Sequence, residues 1–297
     1  MSSRYDQASR YAARVDPAGF FRWLFAARPN DLQFRSWLDT RGVPFPGDPD
    51  RTRDTVGRLD DMAQHGVPWI VAVEFQSRPD PDMFGRLLNY LSGLWLETRP
   101  DVERGSRFEL GSAVVNLTGQ GTVSRRMEWA KGDTTLEFRP VERNLEHESA
   151  DELLDGVESG RWSRCVLMWA PLMAGADNPA LIERWKRLAE LEPDSRRRAD
   201  FAGLARVFAE RAGRSDLWHE NLRGWDVEES TVVNEWMAQW EAKGARNTVL
   251  RQGRKRFGPA PVAIEAAIRT ITDPGRLEQI ADRVLDATSW EDLLATA

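Results

Sequence analysis

Residues 73–95 read VEFQSRPDPDMFGRLLNYLSGLW, and the change of hydrophobic period inside this stretch decides the fold. Up to Gln76 the chain is a short apolar run, PWIVAVEFQ over residues 68–76, rich in β-branched and aromatic side chains, which predicts a buried strand. Further on, Phe84, Leu87, Leu88, Leu91 and Leu94 recur at the spacing of an amphipathic helix, and Asp80-Pro81 supplies its cap and first-turn proline. Side chains alternate faces along a strand, so Ile70, Ala72, Glu74 and Gln76 share one side while Trp69, Val71, Val73 and Phe75 share the other. A carboxylate and an amide thus project together from the end of a buried strand, where an unpaired charge is costly. They need water, a metal ion or polar partners.

Upstream, Phe20, Phe21, Leu24 and Phe25 show helical spacing after Asp16-Pro17, and Leu32, Phe34, Trp37 and Leu38 repeat it before Gly42. Residues 43–51, VPFPGDPDR, break the pattern. Residues 55–62 read as a half-polar strand, joined through Gln64, His65 and Gly66 to the strand at 68–76 in an antiparallel hairpin. Downstream, residues 110–117, 134–139 and 164–169 read as further strands. From about residue 178 the pattern is helical, with helices at 181–191, 201–212, 232–242, 262–271 and 276–287 and a last one opened by a capping box at Ser289 and Asp292. Residues 243–257, KGARNTVLRQGRKRF, carry Lys243, Arg246, Arg251, Arg254, Lys255 and Arg256 without an acid and read as a basic linker. The expected architecture is α/β (α+β): a mixed sheet flanked by helices in residues 1–175, a helical extension over 176–245, and a small helical domain over 246–297.

The chain has 297 residues, 41% apolar and 30% charged, with 13 Trp and 12 Phe, enough to bury a sizeable core and too apolar for wholesale disorder. Its apolar run at residues 165–176 is shorter than the roughly 20 residues of a membrane helix, and residues 1–14 carry no apolar signal core. Cys165 is the one cysteine, so an internal disulfide or a multi-cysteine metal site is excluded, and a reducing, cytoplasmic setting is expected. A formal charge of -6, from 41 basic and 47 acidic residues, excludes a protein that coats nucleic acid by charge alone. Any nucleic-acid site must be local or assisted by a metal ion.

A second carboxylate is available upstream. Asp54 opens the strand preceding the one that carries Glu74, with Asp60 and Asp61 nearer the turn. Two carboxylates converging from neighbouring strands make an oxygen-rich site for a hard cation such as Mg²⁺. The bland alternative is a solvated strand end with ordinary turn carboxylates. His65, His147 and His219 are scattered, Ser77 has no triad pattern near it, and the tryptophans between residues 162 and 240 lie at core spacings.

An Asp, about twenty residues, then a strand ending Glu-x-Gln resembles the PD-(D/E)xK nuclease superfamily. Glu74, Phe75, Gln76, Ser77, Asp80, Arg86, Leu87, Leu88 and Tyr90 resemble more closely the signature of the recombination-promoting nuclease, transposase-like family. Arg53-Asp54 is similar to the strand that carries that family's first carboxylate, and the resemblance continues weakly through PLMAGADNPALIERW and ESTVVNEW to the terminal helices. It implies a restriction-endonuclease-like core and Mg²⁺- or Mn²⁺-dependent hydrolysis of DNA, linked to recombination or mobile elements. Asp54 and Glu74 would hold the metal, while Arg86, Tyr90, Arg251, Arg254, Lys255 and Arg256 would contact the substrate. Gln76 stands where the superfamily usually has lysine, and an amide orients a water but takes no proton, which leaves the general base unassigned. A homodimer is expected, since a double-strand break needs two sites. The competing expectation is a non-catalytic scaffold that binds DNA or protein.

Overall fold

The computed structural model describes residues 4–27, 30–38, 55–63, 67–97, 108–129, 134–225 and 230–295. The chain divides into two units, Met1–Glu228 and Glu229–Ala297.

The first unit is built on a mixed five-stranded sheet. β1 (Leu32–Trp37), β2 (Val56–Asp61) and β3 (Val67–Gln76) form an antiparallel meander. α3 (Met83–Glu97) then carries the chain back so that β4 (Glu109–Asn116) lies parallel to β3, as a helical crossover requires. β7 (Val141–Asn144) adds parallel to the second half of β4, and β5 (Arg125–Glu128) pairs with β6 (Thr135–Phe138) in a separate two-stranded ribbon. Around the sheet are α1 (Arg4–Val15), α2 (Pro17–Leu24), α4 (Ala150–Glu158), α5 (Pro179–Glu190), α6 (Ser195–Arg211) and α7 (Ser215–Asn221), with 3₁₀ segments at Leu145–His147 and Arg164–Leu172.

β3 is covered on both faces, which is why it reads as a continuous apolar run. On one face Ile70 and Ala72 pack with Met83, Leu87, Tyr90 and Leu94 of α3 and with Val114 of β4. On the other, Phe75 stacks on Trp169 at 5.7 Å between ring centroids and 10° between planes. Trp169 is 1% exposed and also meets Trp23 at 6.0 Å, Phe20 at 6.2 Å and Phe208 of α6 at 4.9 Å. One indole therefore joins the sheet to helices from both ends of the unit.

Three expectations fail. Leu32–Trp37 is a strand, not a helix: the β1–β2 register shifts between Phe34 and Ser36, so Phe34 and Trp37, three apart, both contact Phe21, at 5.5 and 5.4 Å. That irregularity imitates helical spacing in the sequence. Residues 164–169 are not a strand but part of a 3₁₀ segment, in which every residue from Cys165 to Leu172 is buried and Pro171 interrupts the backbone. A short run that is apolar all round carries no period to separate the alternatives. Residues 243–257 are no linker; they are the second half of α8 (Thr231–Phe257) in the second unit. Its Gly253 makes close packing possible, since a Cβ there would lie 2.3 Å from the Trp290 ring. α9 (Val262–Thr270), α10 (Pro274–Arg283) and α11 (Trp290–Leu294) complete that unit around Val249, Ile268, Ile280 and Leu293. Of the expected capping box the N-cap half is present, with Ser289 accepting from the Asp292 N–H, while the Asp292 carboxylate accepts from Thr288. Among the described residues no helix is long and apolar enough to cross a membrane.

Two outcomes follow from this packing. Trp169→Ala should cost about 3–5 kcal/mol of stability, read from denaturant unfolding, as expected for a buried tryptophan truncated to a cavity. Cys165 is 3% exposed, and burial first and Asp16 second push its thiol pKa up, so the thiol is a poor nucleophile near neutral pH. Alkylation at pH 8 should be negligible for the native protein and rapid after unfolding, as followed by mass spectrometry.

Candidate functional site

β3, β4 and β7 run parallel and finish level with one another: Gln76 lies opposite Asn116, and Asn116 opposite Asn144. Two residues back on the same face, Glu74 is opposite Val114 and Val114 opposite Glu142. The carboxyl ends of parallel strands are where open α/β sheets place ligands, because the backbone there diverges into loops. Here they carry a row of amides above two carboxylates.

The row is tightly partnered. Glu74 and Gln76 are each 7% exposed. Arg86, in the first turn of α3, reaches back across the strand end, with Nη2 3.7 Å from Glu74 Oε2 and Nη1 donating to Asp80 Oδ2 at 2.7 Å. The Asp80 backbone N–H donates to Gln76 Oε1 at 2.9 Å. Across the sheet, Asn116 Nδ2 donates to Asn144 Oδ1 at 2.9 Å, and the Gly121 N–H donates to the same oxygen at 2.9 Å. Asn144 Nδ2 completes the exchange by donating to the Gly121 carbonyl. Gly121 is needed for this approach, since a Cβ there would sit 2.8 Å from Pro79 Cβ and 3.1 Å from Asn116 Nδ2. Glu142 is occupied structurally, accepting from the N–H groups of Val123 and Ser124 and from the Ser124 hydroxyl. Among the described residues two buried polar atoms in the row have no hydrogen-bond partner: Gln76 Nε2 and Asn116 Oδ1.

The loops after β3 and β4 are held from the helical layer. Arg211, the last residue of α6, donates to the Ser77 carbonyl at 2.6 Å and to Thr118 Oγ1 at 2.7 Å, and Thr118 Oγ1 donates to the same carbonyl.

Of the residues singled out from the sequence, Glu74, Gln76 and Arg86 come together. Tyr90, one turn beyond Arg86, is 2% exposed and belongs to the apolar layer between α3 and the sheet. Asp54 lies outside the described residues. Thr55, next to it in sequence, accepts from the Val73 N–H, one register step from Glu74. Asp60 and Asp61 pair with Pro68 and Val67, at the opposite end of β3, about 20 Å from Glu74 at the usual strand rise. Asp60 is moreover engaged by Arg35 at 2.5 Å. Neither shares a site with Glu74. Among the described residues no three His, Cys, Asp or Glu side chains gather as a metal-holding group. A cavity of about 820 Å³ lies at that far end too, lined by Leu24, Asp61, Trp69, Leu110 and Phe138. Arg251, Arg254, Lys255 and Arg256 are exposed on α8, in the second unit.

Asn116, Asn144 and Arg211 had no distinguishing signal in the sequence. Asn116, just before Leu117 and Thr-Gly-Gln-Gly, reads as turn chemistry, and β7, which ends on Asn144, is only 4 residues long. Comparison with known proteins returns nothing: no family model matches the chain, and neither a curated protein nor a solved structure does.

Arg86→Met should lower stability by about 1–3 kcal/mol, because Glu74 and Asp80 lose a shared cation in a partly dry setting. Adding Glu74→Gln to that variant should recover part of the loss in a urea titration. Equal, additive losses would show that the two side chains are uncoupled.

Proposed function

We propose that the chain is a metal-dependent DNA endonuclease with a restriction-endonuclease-like core, in which Asp54 and Glu74 hold Mg²⁺ or Mn²⁺ and Gln76 positions the attacking water. The observation that carries the reading is the buried Glu74 carboxylate at the carboxyl end of the parallel strands, beside Gln76 and in ion-pair reach of Arg86. The mixed sheet flanked by helices is compatible with the family resemblance of residues 73–95, on which the link to recombination or mobile elements rests alone.

The donor chemistry fits a hard cation, since a carboxylate oxygen is the ligand such ions prefer. The described residues supply one of the two carboxylates. When bound, the ion would lower the pKa of a coordinated water and stabilise charge on the phosphate. The remaining tasks fall to the chain. Arg86 balances Glu74 while tied to Asp80, and its guanidinium is the fork that suits a phosphate oxygen pair. Gln76 is locked by the Asp80 N–H, so it offers a donor to water or phosphate and no base. The exposed basic turn with Arg251, Arg254, Lys255 and Arg256 offers backbone contacts to DNA.

A second reading, a nuclease-like scaffold that binds without cutting, is favoured by the same Arg86–Glu74 pair, which partners the carboxylate without any metal. Plasmid nicking separates the two. The enzyme reading expects cleavage with Mg²⁺ or Mn²⁺, none with EDTA, and a fall of about 10²-fold or more in Glu74→Ala, in keeping with several kcal/mol of metal assistance. Nicking that survives Glu74→Ala unchanged overturns it, and DNA binding that ignores EDTA and is never followed by cleavage establishes the scaffold.

A further inference from the structure

We infer that Gln76 and Asn116 together hold one water molecule, as donor and acceptor, which makes Asn116 a positioning residue for the proposed hydrolysis. The role assigned to that water rests on the endonuclease reading; its presence does not.

The argument turns on which end of each amide is oxygen. A backbone N–H can only donate, so the atom that receives the Asp80 N–H must be the Gln76 oxygen, and the Gln76 nitrogen must point elsewhere. The Gly121 N–H likewise fixes which end of Asn144 is oxygen. That oxygen also faces Asn116, so the Asn116 atom meeting it is nitrogen, and the Asn116 oxygen is left over. Two backbone groups, one at each end of the row, thereby set the sense of all three amides. What remains is one donor, Gln76 Nε2, and one acceptor, Asn116 Oδ1, on residues directly opposite each other on adjacent strands and facing the same side of the sheet.

Both side chains are more than nine-tenths buried, Gln76 at 7% and Asn116 at 1% exposure. They do not bond each other, and neither atom has another partner among the described residues. Leaving both unmet costs free energy, and the partner that suits a buried donor and a buried acceptor at once is a hydroxylic one, which accepts from the first and donates to the second. Water is the smallest such group. In this arrangement Gln76 takes up one lone pair of the water oxygen and Asn116 one of its protons, so the remaining lone pair and proton are confined to the two other tetrahedral directions. Neither amide removes a proton; the pair orients and does not deprotonate. Glu74 lies two residues below Gln76 on the same face.

Two measurements on the full chain test this. A crystal structure at high resolution should show an ordered water within hydrogen-bond distance of both Gln76 Nε2 and Asn116 Oδ1. A direct Gln76–Asn116 hydrogen bond, or an empty gap between the two, overturns the inference whether or not the protein cuts DNA. If plasmid nicking is present, Gln76→Met and Asn116→Ala should each lower kcat about 10²-fold with little change in KM, the cost of a misplaced nucleophile. The double variant should be no slower than the slower single, because both act through one water. Multiplicative losses, or losses in KM alone, overturn the positioning role. Absence of nicking from the wild-type chain refutes the endonuclease reading and leaves the crystallographic outcome to decide the water.

Discussion

The parallel pairing of β3 with β4 is the constraint on which the first unit depends. The ladder runs through eight residue pairs, from Trp69 opposite Glu109 to Gln76 opposite Asn116, and it can close only because α3 returns the chain across the sheet. Parallel strands are stable when both faces are covered, so β3 has to be apolar on both sides for most of its length. α3 covers one side, and the helices gathered round Trp169 cover the other. The polar side chains of the strand are confined to its last residues, where Glu74 and Gln76 stay buried but meet Arg86 and the Asp80 N–H. The position of the candidate site is thus a consequence of how the sheet is buried, not an independent feature added to it.

This dependence also explains which parts of the molecule were legible from the chain. The helix after β3 was readable because it keeps one period over its length, and the strand at 67–76 because its short apolar run is rich in β-branched and aromatic side chains. The phase of Glu74 and Gln76 followed from the strand alone. β1 was misread because the irregularity at Phe34 and Ser36 places two aromatic rings on Phe21 at a three-residue interval. The run at 164–169 was misread because burial on every side erases the period, and the basic half of α8 because arginine and lysine suit a helix face as well as a linker. The amide row was invisible for a different reason. Gln76, Asn116 and Asn144 are separated by 40 and 28 residues in the chain, and only the register of three strands makes them neighbours.

Within the row, charge is managed locally. Arg86 serves Glu74 and Asp80 at once, and Asp80 in turn orients Gln76 through its backbone, so two acids, a guanidinium and an amide form one connected unit at the start of α3. Connected units of this sort hold side-chain directions better than isolated pairs, because each group has few alternatives that satisfy its neighbours. Glu142, the other carboxylate on that face, is instead spent on fixing the loop at Val123 and Ser124. The two acids therefore serve different partners, although they occupy equivalent positions on flanking strands.

Arg211 extends the same logic to the helical region. By gripping Ser77 and Thr118, it ties the exits of both central strands to the end of α6, while Phe208, one turn earlier, lies against Trp169. The sheet and the helices up to Asn221 therefore behave as one heritable part. A gene fusion, a truncation or an exchange between relatives that separated them would strip the strand ends of their anchor and the indole of its cover in a single event. The seam that spares both is the one between Glu228 and Glu229.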